Sequence, residues 1–178
     1  MHKNIQTIYQ ETIAFAALKH SNQKMPTGLP YVVHLSNVTM EVFMTHKKEP
    51  NFNIELAIQL ALLHDVLEDT SLSFKELEDT FGNIVATGVL ALTKNASLDK
   101  KDQMQDSLDR IVKQYKEVAI VKLCDRITNL QKPPLKWDND KIKKYHLQAT
   151  QIAETLQGKN SYLDNRIQEK IKAYTAFV

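Results

Sequence analysis

Residues 61–70 read ALLHDVLEDT and gather the groups most able to do chemistry. His64, Asp65, Glu68 and Asp69 put an imidazole and three carboxylates within two turns of one another. Read as one helix, His64 stacks on Glu68 and Asp65 on Asp69, since side chains four apart share a face. His64 and Asp65 lie about 100° apart on the helix wheel, close enough to converge on one ion. The apolar run Leu60, Ala61, Leu62 and Leu63 carries these groups to the edge of a core. Adjacent acids repel and are costly there unless something positive lies between them. A bound metal ion removes that cost. The competing reading is an amphipathic helix with an acidic last turn, but that end of a helix disfavours carboxylates.

A second stretch, residues 118–130, reads VAIVKLCDRITNL. Its apolar residues predict a buried helix, interrupted by Asp125 and Arg126, with Asn129 one turn beyond Asp125. An aspartate in a buried helix must be paired or bind a cation. Pairing with Arg126 is the alternative, although neighbours in sequence do not face each other on a helix. Cys124 reads as a small buried residue.

A third contribution is His34, placed by the sequence at the entry to a helix beside a loop. Alone it would be a structural histidine. Together, His34, His64, Asp65 and Asp125 are imidazoles and carboxylates suited to Mn, Fe or Zn. Four protein ligands leave positions open on an octahedral ion, and such an ion makes water nucleophilic near neutral pH. Glu68 and Asp69, one turn on, stand where a general acid or base belongs.

Helices must position these groups. Only four glycines and five prolines punctuate the chain, and strand-like alternation is scarce, which predicts an all-α domain. Helical spacing runs from about Ile5 to His20. Pro26, Gly28 and Pro30 then force a loop. A helix follows from about His34 to His46, and Pro50 breaks the chain. Asn53 caps the helix that carries residues 61–70, and Ser73 with Glu76 forms a capping box for a short helix closed by Gly82. Residues 84–92, IVATGVLAL, are apolar almost all round and predict a buried helix. Residues 93–99 form a loop, and a charged amphipathic helix runs from about Lys100 to Gln114. After Pro133 and Pro134 come helices from about Asp138 to Leu156 and Ser161 to Phe177, separated by Gly158. Lys141, Lys143 and Lys144 read as a solvated face.

The 178 residues fit a single domain over 1–178. Apolar content of 43% and charged content of 25% are those of a soluble globular protein. A net charge of +2 carries no nucleic-acid or membrane footprint. The N-terminal MHKNIQTIYQE lacks a signal peptide's apolar core, and no apolar run is long enough to span a bilayer. One cysteine suits a reducing compartment, so the expected location is cytoplasmic. A homo-oligomer stays open.

These motifs resemble the HD-domain metal-dependent phosphohydrolases, and within them the alarmone hydrolase branch: the hydrolase domain of Rel/SpoT proteins and the stand-alone SpoT-homologue hydrolases. The resemblance runs through PYVVH, LLHDVLEDT, FGNIVATGVLALTK, VKLCDRITNL and WDNDKIKKYHLQATQIAETL, nearly the whole chain. It implies an HD-type bundle of about eight to ten helices, with Mn²⁺ held by His34, His64, Asp65 and Asp125. It implies that Glu68 and Asp69 activate or place the attacking water. Asn129 matches an asparagine at the nucleotide sugar, and Tyr145 a tyrosine at a phosphate. The implied reaction removes the 3′-pyrophosphate of guanosine 3′,5′-bis(diphosphate) or the pentaphosphate. The loop departs from the family pattern. An Arg-Lys pair usually precedes Ser-Gly-x-Pro-Tyr, whereas here Lys24, Met25, Pro26, Thr27 and Gly28 follow one another, leaving Lys24 as the nearby base. Other nucleotides therefore stay open as substrates: a nucleoside monophosphate, an adenosine alarmone or the 2′-phosphate of NADPH. A non-catalytic nucleotide-binding regulator is the reading from another class, and it should have lost a ligand or an acid that this chain keeps.

Overall fold

Two helices, rich in buried aliphatic residues, form the frame on which the rest of the chain is laid. In this computed structural model, which describes residues 4–178, they are α3 (Ile54–Leu63) and α8 (Lys116–Asn129). Ala57, Ile58 and Leu60 to Leu63 of α3 have no exposed surface, and Val118 to Val121, Leu123 and Cys124 of α8 are equally enclosed. The other helices are α1 (Ile5–Lys19), α2 (Val32–Lys48), α4 (Val66–Asp69), α5 (Phe74–Phe81), α6 (Asn83–Leu92), α7 (Gln103–Ile111), α9 (Asn139–Thr155) and α10 (Ser161–Tyr174), with a 3-10 turn at Thr175–Phe177. Among the described residues no sheet forms. A lone bridge joins Lys24 to Pro30. Residues 1–3, the start of the expected domain span and of the stretch read against a signal peptide, lie outside the described residues.

Local chemistry sets the helix ends. Asn4, Asn53, Asp138 and Asn160 each accept a backbone N–H of the first turn that follows. Ser73 and Glu76 close the capping box expected for α5. Gly82 then ends that helix at φ 85°, a left-handed conformation that a side chain resists. The buried Glu117 accepts the N–H of Asn53 at 2.7 Å, fixing the start of α3 against the start of α8.

Helix α3 packs on α1, α2, α6 and α8, and α8 packs also on α2, α6, α9 and α10. Residues near the end of α3 thus meet the first turn of α2 and the last turns of α8.

Three details depart from the sequence reading. The helix expected to run through residues 61–70 is interrupted: α3 stops at Leu63, His64 and Asp65 form a turn, and α4 restarts at Val66. Asp65 sits at φ −105°, ψ 0°, the sparsely populated bridge region. The amphipathic helix expected from about Lys100 to Gln114 is shorter, with turns on either side of α7. Helix α6 is buried on one side only. Val85, Ala86, Gly88 and Val89 face its neighbours, while Ile84 and Leu90 are exposed on an outer side that no element among the described residues covers.

Candidate active site

The interruption at His64 is what shapes the site. With α3 ended, the Ala61 carbonyl is met by the imidazole of His64, Nδ1 to oxygen 2.8 Å. Nδ1 then carries a proton, which leaves the inward-facing Nε2 as the nitrogen that would bind an ion. The same turn swings Asp65 round, so that its Oδ2 lies 2.9 Å from His64 Nε2. A continuous helix would hold these side chains about 100° apart.

His34, on the first turn of α2, brings Nε2 to 3.3 Å from His64 Nε2 and 3.9 Å from Asp65 Oδ2. Asp125 of α8 places Oδ1 3.4 Å from His34 Nε2 and 3.8 Å from His64 Nε2. His34, His64 and Asp125 each offer one ligand atom within 4.8 Å of the others. Asp65 completes the group through Oδ2, which also accepts the Tyr31 hydroxyl. The spacings suit the coordination shell of one transition-metal ion with nitrogen and oxygen donors about 2 Å from it. The four candidate ligands thus come together from three packed helical segments.

The charges agree with a cation at this point. Burial opposes the charge on His64, but the carboxylates of Asp65 and Asp125 outweigh it and raise the imidazole to about 9. Burial also opposes ionisation of Asp65, and the His64 charge overrides it, holding the carboxyl well below its usual range. Asp125 is held down likewise, by its hydrogen bond with His34 and the charges of His64 and Lys122. Burial and Asp65 push the Tyr31 hydroxyl far up, so it stays a donor.

Glu68 and Asp69 line the same cavity, of about 320 Å³, but their settings differ. Both oxygens of Glu68 are engaged by Lys94, one by its backbone N–H at 3.0 Å and one by Nζ at 2.5 Å. Asp69 is raised from its ordinary value by burial, against the hydrogen bond from Gln23 and with the charges of Asp65 and Glu68 adding to it. Gln23 donates through Nε2 to Asp69 Oδ2 at 2.8 Å, and its Oε1 lies 2.5 Å from His20 Nδ1. That contact fixes which way the amide faces.

The expected substrate contacts divide. Asn129 lines the cavity and donates to Asp125 Oδ1 at 2.6 Å. Tyr145 lines it too, with its ring centroid 4.1 Å from the Arg126 guanidinium. Lys24 is exposed on the outer side of its loop and does not line the cavity. Met25 and Pro26 do. The loop is held by the N–H of Met25 to the Leu29 carbonyl and of Gly28 to the Met25 carbonyl, both 2.9 Å, with Gly28 at φ 87°. Sequence reasoning missed His20, Gln23, Tyr31, Lys94, Lys122 and Arg126. Tyr31, Lys94, Lys122 and Arg126 all stand inside motifs it singled out, but the contact of Lys94 with Glu68 arises only in the tertiary fold.

The HD domain family model matches residues 12–160 of this chain. The chain belongs to the HD-domain family. Among curated HD-domain relatives, the guanosine-3′,5′-bis(diphosphate) 3′-pyrophosphohydrolase MESH1 of Danio rerio is 34% identical over 165 residues, covering 89% of each chain. The guanosine-3′,5′-bis(diphosphate) 3′-pyrophosphohydrolase of Aquifex aeolicus is 34% identical over 128 residues, 68% of this chain but 17% of that longer protein. A solved structure of a metazoan orthologue of SpoT that hydrolyses ppGpp superposes with a TM-score of 0.81 at 28% identity, covering 97% of both chains. The all-α architecture is therefore the HD-domain fold, as the motifs implied.

Proposed function

We propose that this chain is a single-domain, Mn²⁺-dependent hydrolase that removes the 3′-pyrophosphate of guanosine 3′,5′-bis(diphosphate) and of the pentaphosphate. The observation that carries the reading is the meeting of four metal donors with Glu68 and Asp69 on the wall of one nucleotide-sized cavity. HD-domain relatives named for this reaction, matching nearly the whole chain, support the substrate.

His34, His64, Asp65 and Asp125 would hold the ion. Bound there, it would supply Lewis acidity, both to the attacking water and to the phosphoryl oxygens. The protein's own groups do the rest. Water adds to the phosphorus bonded to O3′, the O3′–P bond breaks, and the 3′-oxygen gains a proton as guanosine diphosphate and pyrophosphate separate. Asp69, whose carboxyl is made more basic by burial, accepts a proton from the water, and Gln23 holds it in place. Glu68, fixed by Lys94, orients that water. Asn129 keeps Asp125 turned toward the ligand cluster, and Tyr145 offers its hydroxyl to a phosphate. No helix among the described residues is long and apolar enough to cross a membrane. The free buried Cys124 suits work in the cytoplasm on a small nucleotide.

A panel of nucleotides with Mn²⁺ tests the assignment. Guanosine 3′,5′-bis(diphosphate) should give the highest kcat/KM, above nucleoside monophosphates and NADPH. A higher value for either of those would reassign the substrate. Met25 on the cavity wall favours one further feature, a weak preference between guanine and adenine, since a thioether packs on either ring.

A further inference from the structure

Helix α8 presents two rows to the cavity. Asp125 and Asn129, one turn apart, belong to the ligand cluster. Lys122 and Arg126, also one turn apart, make a second row beside it. Both cations are nearly enclosed, with 9% and 5% of their surface exposed. Arg126 Nε and Nη1 are buried and have no hydrogen-bond partner. The guanidinium carbon lies over the ring of Tyr145, 4.1 Å from its centroid. Two buried like charges at this spacing repel, and a buried guanidinium without an acceptor is costly. Lys94, the third cation of the cavity, already has Glu68. Asp125, the carboxylate beside the Lys122 and Arg126 row, attracts Lys122 but places its Oδ1 against the two histidines and makes no close ion pair with either cation.

We infer that Lys122 and Arg126 form a binding site for the terminal phosphate of a pyrophosphoryl group whose inner phosphate lies at the ligand cluster. The position fits. Lys122 and Arg126 stand about 4.5 Å and about 1.5 Å from Asp125 along the helix axis, so a phosphate bonded to one at the cluster falls against them. Arginine presents a planar fork and lysine a mobile point charge, a pairing suited to a phosphate dianion. Burial lowers the lysine's pKa against the pull of Asp125, with the neighbouring guanidinium adding to the fall, and an anion between the two cations would offset both. The consequence is selectivity. A substrate bearing a diphosphate fills both positions, whereas a monophosphate leaves the two cations unpaired. This deepens the proposed reaction without depending on guanine, since any pyrophosphoryl compound presents the same group.

The test is isothermal titration of the metal-loaded protein with inorganic pyrophosphate and with orthophosphate, on wild type, Arg126→Met, Arg126→Lys and Lys122→Met. Wild type should bind pyrophosphate more tightly than orthophosphate. Arg126→Met and Lys122→Met should each weaken pyrophosphate about 10- to 100-fold and change orthophosphate little, with Arg126→Lys in between. Lys122→Met and Arg126→Lys keep the test open if Arg126→Met fails to fold. Equal affinity of wild type for the two anions, or pyrophosphate binding unchanged in the folded variants, overturns the inference. A wild type that binds pyrophosphate this way but leaves guanosine 3′,5′-bis(diphosphate) intact keeps the anion site and rejects only the proposed substrate.

Discussion

His34 Nε2 and His64 Nε2 lie 3.3 Å apart, with a carboxylate oxygen of Asp65 and another of Asp125 within 4 Å of both. Two imidazole lone pairs this close need a shared positive charge. A proton on His64 supplies it when no ion is bound, because the two aspartates raise that imidazole to about 9. The folded pKa exceeds the ordinary histidine value of about 6.5. The metal-free protein therefore gains stability from this group below about pH 6.5 and loses it as pH rises through about 9. An ion must displace the proton. At pH 7, metal binding should release about one proton, measured by calorimetry in buffers of different ionisation enthalpy. Binding with no proton release would mean that His64 is not a ligand.

Asp125→Ala should abolish bound metal and activity together, and the variant should no longer gain thermal stability when metal is added. Metal analysis and melting curves with and without Mn²⁺ check this. Full activity with metal still bound would remove Asp125 from the ligand set.

Glu68→Gln keeps the shape that meets Lys94 but removes the charge. Turnover should fall roughly 10²-fold or more while metal content stays unchanged. Metal loss in this variant would make Glu68 a ligand.

Gln23→Leu removes a hydrogen bond that lowers the pKa of Asp69, already raised by burial. The carboxylate must be ionised to accept a proton, so activity should be lost at a higher pH than in wild type as the medium is acidified. The pH profile of kcat reads this directly. An unmoved acidic limb would rule out Asp69 as the group that sets it.

Much of this site was legible in the sequence because its donors fall in regular helical contexts. LLHDVLEDT and KLCDRITNL each follow an aliphatic run that had to be core, and a charged residue straight after such a run needs a partner. The break at His64 was not legible. No proline or glycine marks it, and the turn is held by contacts of His64 with Ala61 and Asp65 and of Asp65 with the distant Tyr31. The exposure of Ile84 and Leu90 was equally hidden, since an apolar run does not say how many neighbours will cover it. The tie between Lys94 and Glu68 spans two helices and depends on the loop after α6, which local pattern does not position. Lys24 was singled out as the base left near the place of the family's Arg-Lys pair, but in the folded loop, where it bridges to Pro30, Met25 and not Lys24 lines the cavity.

Met25→Arg should sharpen the choice of base. A guanidinium stacks on a purine and also pairs with phosphate, whereas the thioether only packs. The ratio of kcat/KM for the guanosine over the adenosine 3′,5′-bis(diphosphate) should be modest in wild type and larger in the variant. A wild type that already rejects the adenosine compound by several orders of magnitude would place base recognition in other residues.

The most direct measurement is product identity. The purified protein is incubated with Mn²⁺ and guanosine 3′,5′-bis(diphosphate), and both products are quantified by phosphorus NMR. Guanosine 5′-diphosphate and inorganic pyrophosphate should form in equal amounts, with none formed by Asp125→Ala. Release of orthophosphate as the first product, or an intact substrate under conditions where NADPH loses its 2′-phosphate, would contradict the account.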